Sequence, residues 1–114
     1  MTSGGYKDWI VDDLMSDIDG ITTKRMFGGW GIYQDGVIFS IITSGDRVYF
    51  KVDEVNRSNY EKAGSKPFTY SFKGKKKSVM MSYWELPVSV LEGSGELKIW
   101  IEKSVAASGR KHEK

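Results

Sequence analysis

The run from Ile21 to Val52 constrains the fold more than any other part of this chain. Within it, Val37-Ile38-Phe39-Ser40-Ile41-Ile42 is apolar on both faces of an extended strand, which suits a central place in a sheet. The Asp35-Gly36 pair just before it is a strong two-residue hairpin signal, since such turns need positive φ at their central residues. Upstream, Thr22-Thr23-Lys24-Arg25-Met26-Phe27 leads into Gly28-Gly29-Trp30-Gly31-Ile32-Tyr33, which reads as one long strand bulged or sharply bent at its glycines. Downstream, Ser44-Gly45-Asp46 makes a turn, and Val48, Phe50 and Val52 then alternate with Arg47, Tyr49 and Lys51. That alternation predicts one buried face and one wet face.

Helical periodicity brackets these strands. Tyr6, Ile10, Leu14 and Ile18 recur every four residues with Trp9 beside them, predicting a helix over 5–19 that Gly20 ends. Asp53 is placed to cap a second helix running through Tyr60 and Ala63 to Gly64. Phe68, Tyr70 and Phe72, and then Val79, Met81 and Tyr83, alternate as two further strands. Leu86-Pro87 opens a short helical turn through Leu91, and Leu97, Trp100, Ile101 and Val105 form a last helical stripe. The expected fold is therefore α+β in two layers: an antiparallel sheet of about five strands, in the order α-β-β-β-α-β-β-α, with helices packed on one face. The second face, around Tyr49, is open to a partner or a second copy. Residues 1–108 form one domain, and 109–114 read as a disordered basic tail.

Composition narrows the chemistry. The 114 residues contain no cysteine and one histidine, His112, near the end. Thiolate metal sites, cysteine nucleophiles and histidine-based triads therefore have nothing to start from. Asp12 and Asp13 are adjacent and point apart on a helix, while Asp13 and Asp17 share its solvent face. A phosphate loop ending at Gly74-Lys75 would need a glycine where Thr69 stands, and a dinucleotide loop from Gly29 would need one at Gln34. The expectation is no enzyme, no metal and no cofactor. No apolar run approaches a membrane span and no export signal opens the sequence, so a cytoplasmic protein without a membrane partner is expected.

Charge is unevenly spread. Residues 1–20 hold one lysine against five aspartates (−4), residues 21–72 seven basic groups against five acidic (+2), and residues 73–114 nine against five (+4). Lys73, Lys75, Lys76 and Lys77 gather at the connection between the last two strands. Flanked by Tyr70 and Phe72, they make direct nucleic-acid binding the alternative to a simple solvated turn. The alternation of Phe68, Tyr70 and Phe72 reads as core packing. Arg25, leading into an apolar strand, calls for an anion from the protein or from a ligand.

Several blocks together resemble a known family. These are Lys24-Arg25-Met26-Phe27-Gly28-Gly29-Trp30-Gly31-Ile32-Tyr33, then Val48-Tyr49-Phe50-Lys51-Val52-Asp53, then Pro67-Phe68-Thr69-Tyr70 and Met81-Ser82-Tyr83-Trp84-Glu85-Leu86-Pro87. They are similar to the N-terminal domain of TfoX (Sxy), the regulator of competence genes, over nearly the whole chain. The resemblance implies a fold like that of type III secretion chaperones, a bacterial cytoplasmic protein and, by fold analogy, a homodimer. It implies a standalone member lacking the C-terminal domain, acting through an unidentified protein partner in transcriptional or competence-type regulation. The signature residues Arg25, Met26, Phe27, Gly28, Gly29, Gly31, Ser82, Tyr83 and Trp84 then serve either structure or binding. Trp30 and Trp84 would cap the sheet, with the Trp84 ring open to a partner.

Overall fold

The computed structural model describes residues 4–26, 28–43, 45–70, 78–92 and 95–109. Its strands are β1 (Ile21–Met26), β2 (Gly29–Gln34), β3 (Val37–Ile42), β4 (Val48–Lys51), β5 (Pro67–Tyr70) and β6 (Ser78–Glu85). Its helices are α1 (Gly4–Asp8), α2 (Arg57–Lys62), α3 (Val88–Leu91) and α4 (Leu97–Gly109). The strands form one antiparallel sheet in the order β1-β2-β3-β4-β6-β5. The apolar strand β3 is central, as its two-sided hydrophobicity predicts. The expected tail lies outside the described residues beyond Gly109.

The sheet has six strands rather than five because the glycine-rich segment is a hairpin and not a bend. Met26 pairs with Gly29 and Arg25 with Trp30, so the chain reverses within two residues. Gly28 takes φ +76°, the left-handed region that only glycine enters without strain. At Gly29 a Cβ would fall 1.8 Å from the Ile42 carbonyl oxygen, so the close approach of β3 itself demands glycine. The next reversal matches its sequence signal: Asp35 and Gly36 have φ of +51° and +84°, as a type I′ turn requires.

The first helix is also shorter than its stripe predicts. α1 runs on as a π-helical turn over Trp9–Leu14, where the Met15 N–H donates to the Ile10 carbonyl, and leaves the helix by Asp17. A spacing of four overshoots an α-helical turn by about 40° at each step, and one wide turn absorbs part of that drift. Ile10 and Met15 are buried as a result, with Tyr6, Leu14 and Ile18 packed beside them.

Residues opposite one another across an antiparallel pair share a face. The registers Ile42↔Val48, Ser40↔Phe50 and Phe50↔Trp84 therefore put Ile42, Val48, Phe50 and Trp84 on one side, with Trp30 and Ile32. At Ile32 the register slips, leaving Phe39 as the extra residue of a bulge. Both Phe39 and Ser40 are fully buried; the Phe39 ring meets Phe50 edge-on at 5.5 Å, and the Ser40 hydroxyl donates to the Tyr49 carbonyl at 2.8 Å. Ile10, Tyr60, Val90 and Ile101 of the helical segments close over this face and complete the core. α4 lies on β3 and β4, and α2 is tied to it by Tyr60, whose ring meets Trp100 and whose hydroxyl meets that of Ser104 at 3.3 Å.

Asp53 opens the turn before α2 but does not cap the helix itself. Its carboxylate accepts from the Val55 N–H, and its own N–H donates to the Asn56 carboxamide. Asn56, only 2% exposed, also donates to the Lys51 carbonyl, so this side chain serves the backbone of the turn.

Candidate functional site

The first signature block forms the β1–β2 hairpin at one edge of the sheet. Arg25 and Trp30 face each other on the helix-covered side, with the guanidinium 5.0 Å from the indole ring centre. Lys7, from α1, reaches the same ring at 4.6 Å and pairs with Asp8 at 2.8 Å. The anion expected beside Arg25 is thus replaced by an aromatic face: among the described residues the exposed guanidinium makes no ion pair. Met26 and Gly31 face the other way. A Cβ on Gly31 would meet the Met26 methyl at 3.0 Å and the Ile38 methyl at 3.2 Å, so this glycine leaves room for two flexible side chains. Phe27 lies outside the described residues.

The second block lies on β6, separated from β2 by β3 and β4, so the two blocks do not converge. The Ser82 carbonyl accepts the Val52 N–H at 2.8 Å. Trp84 is 5% exposed and belongs to the core, so it does not offer its ring to a partner. Its position opposite Phe50, on the covered face, decides this. Tyr83, one residue earlier, faces the opposite side.

That opposite side is where sequence reasoning saw least. Tyr49, expected on the wet side of its strand, is 9% exposed and Tyr83 is 8% exposed, yet neither joins the core under the helices. Tyr49 meets Phe68 edge-on at 4.9 Å, which places Phe68 on this face and outside the core predicted for it. Lys51 lies 5.0 Å from the Tyr83 ring, and Lys24 lies 5.7 Å from the Tyr33 ring. Burial raises the Tyr83 phenol above its ordinary range, and nearby Tyr33 adds to the effect. The Tyr49 phenol is raised first by burial and then by the Glu85 carboxylate, which also pairs with Arg47 at 3.3 Å. Raised in this way, the Tyr49 and Tyr83 phenols are neutral donors near pH 7. Ile38 and Ile41, both half-buried, fill the surface between them. The alternation of Tyr49 and Lys51 with Val48 and Phe50 was the available signal, because aromatic residues on a nominally wet face mark a surface that packs.

Lys73, Lys75, Lys76 and Lys77, with Phe72, lie outside the described residues, as does the side chain of Tyr70. Asp12, Asp13 and Asp17 are exposed. Among the described residues no three His, Cys, Asp or Glu side chains stand together as a metal site, and no helix is long and apolar enough to cross a membrane. A recess of about 140 Å³ between the turn before α2 and α4 is lined by Val55, Asn56, Lys103 and Ala106, none of them a signature residue. What the described surface offers is contact: rings, stacked cations and a strand edge.

No curated protein matches the chain. The sequence profile of the TfoX N-terminal domain matches residues 13–108, spanning both signature blocks and every strand of the sheet. The chain belongs to the TfoX N-terminal domain family.

Proposed function

We propose that this chain is a non-catalytic interaction module that works as a homodimer in the bacterial cytoplasm, through protein–protein contacts, in transcriptional or competence-type regulation. The observation that carries the reading is the sheet face away from the helices. Tyr33, Tyr49 and Tyr83 lie there beside Lys24, Lys51, Ile38 and Ile41, and among the described residues none of these belongs to the core cluster under the helices. Tyrosines flanked by cations and aliphatic side chains are the composition of recognition surfaces, where a rigid ring and a polar tip give area and orientation together. Family membership supports the regulatory context.

The test is capture from a native bacterial lysate with the tagged protein, before and after nuclease treatment. The expected result is a defined protein retained after nuclease and lost with the double variant Tyr33→Ala/Lys51→Glu, which still unfolds cooperatively above the assay temperature. Retention that vanishes with nuclease would overturn this reading in favour of nucleic-acid binding through Lys73 and Lys75–Lys77.

A further inference from the structure

The two edges of the sheet are not equivalent. β5 has four residues and opens with Pro67, which has no N–H to offer a neighbour. β1 has six residues and no proline. Because Met26 and Gly29 close a two-residue hairpin, their pair exchanges hydrogen bonds, and so do Lys24↔Gly31 and Thr22↔Tyr33. The same ladder continues to the Asp35 N–H, which donates to the Gly20 carbonyl at 2.9 Å. The alternate residues Ile21, Thr23 and Arg25 therefore turn their N–H and C=O groups outward, away from β2.

We infer that this edge is the homodimer interface: β1 pairs antiparallel with β1 of a second copy about a two-fold axis at Thr23, joining two sheets into one of twelve strands. The inference deepens the dimer named above and rests on that reading. Only residues with outward backbone groups can pair, and their spacing is symmetric about Thr23. Thr23 then faces its own copy and Ile21 faces Arg25 of the other chain, giving about six backbone hydrogen bonds across the axis. Charge selects a copy in this orientation over other strands. Exposed Asp17 and Asp19 precede β1 and exposed Lys24 and Arg25 end it, so the edge is acidic at one end and basic at the other. An antiparallel copy lays each acidic end against a basic end, within reach of long side chains. Strands of other charge pattern meet the lysine and arginine as a barrier.

Because the chain has no cysteine, single substitutions report the register directly. Facing residues of a hydrogen-bonded pair have Cα atoms about 5.5 Å apart, within disulfide range. Two copies of residue 22, or of residue 24, would be about 8 Å apart, beyond it. Thr23→Cys should run as a covalent dimer on a non-reducing gel after mild oxidation, at about tenfold the yield of Thr22→Cys or Lys24→Cys. Thr23→Pro removes an outward N–H without touching the ladder to β2, so light scattering should show a folded monomer. A wild-type monomer at about 100 µM, well above the Kd of a stable dimer, would overturn both this inference and the dimer reading. A dimer that cross-links equally at positions 22, 23 and 24, or that survives in folded Thr23→Pro, would overturn the edge alone. If Thr23→Pro does not fold, the cross-linking series decides.

Discussion

The two faces of the sheet are built by the same strands and differ only in residue parity, yet they do different work. On one side Phe39, Ile42, Phe50 and Trp84 meet Ile10, Tyr60 and Ile101 and exclude water. On the other, tyrosines and half-buried aliphatics lie beside lysines, with a polar tip on most rings. Burial alone does not separate them, since Tyr83 at 8% and Trp84 at 5% are nearly equally hidden. What separates them is what lies above. The first face is closed by helices, while the second carries tyrosines, cations and aliphatic side chains that lie outside that core.

The sharpest way to break this contrast is Phe50→Ala, which should cost about 3–5 kcal/mol in urea unfolding, because the ring is fully buried against Phe39. A loss under 1 kcal/mol would mean the covered face is not the stability-bearing one. Next come the hairpin glycines. Gly29→Ala drives a methyl into the Ile42 carbonyl and should cost about 2–3 kcal/mol, whereas Gly31→Ala meets only side-chain ends on the second face and should cost about 1 kcal/mol. Equal losses by thermal melting would erase the distinction.

A pH titration sharpens it further. Burial lifts the Tyr60 phenol well above its ordinary value of 10.0, against a smaller opposing effect of the Ser104 hydroxyl. Below pH 10 both folded and unfolded chains keep this proton, so the contribution is fully present. Above it the unfolded chain releases the proton first, and stability falls by up to about 1.4 kcal/mol per pH unit for this one group. Tyr60→Phe should flatten that alkaline limb in denaturant titrations at pH 9 to 11, at a neutral-pH cost of about 1 kcal/mol from the hydroxyl left on Ser104. An unchanged alkaline slope would show that this ring does not govern the limb. The smallest effect is expected on the second face, where Lys24→Gln and Lys51→Gln should each cost about 0.5 kcal/mol by removing a cation from a tyrosine ring. A larger loss would make that face structural.

Legibility in the sequence followed the range of the interaction. Asp35-Gly36 was readable because its turn depends on two residues, and the alternation from Val48 to Val52 because a strand's period is local. The reversal between Met26 and Gly29 carries no Asn-Gly or Asp-Gly signal and sits in a glycine cluster that equally suits a bend. The clue was a strand-forming run on each side, two residues apart. Arg25 in the sequence calls for an anion, but Trp30 faces it only once the chain reverses there. Trp84 and Tyr83 could not be assigned to faces, because that depends on which residues of β4 they oppose, more than thirty positions earlier in the chain.

From the sequence alone followed an antiparallel α+β domain of TfoX type, the places where most of its turns fall, and the alternations that each strand would present. Those depend on φ preferences and on a two-residue period, which every segment carries within itself. Only the tertiary structure decided that six strands form, that Phe39 is the extra residue of a bulge, that β5 and β1 are the edges, and that Trp84 goes to the core under the helices while Tyr83 goes to the opposite face. Pairing across distant segments sets those outcomes, and a shift of one residue in the β4–β6 register would by itself exchange the faces of Trp84 and Tyr83.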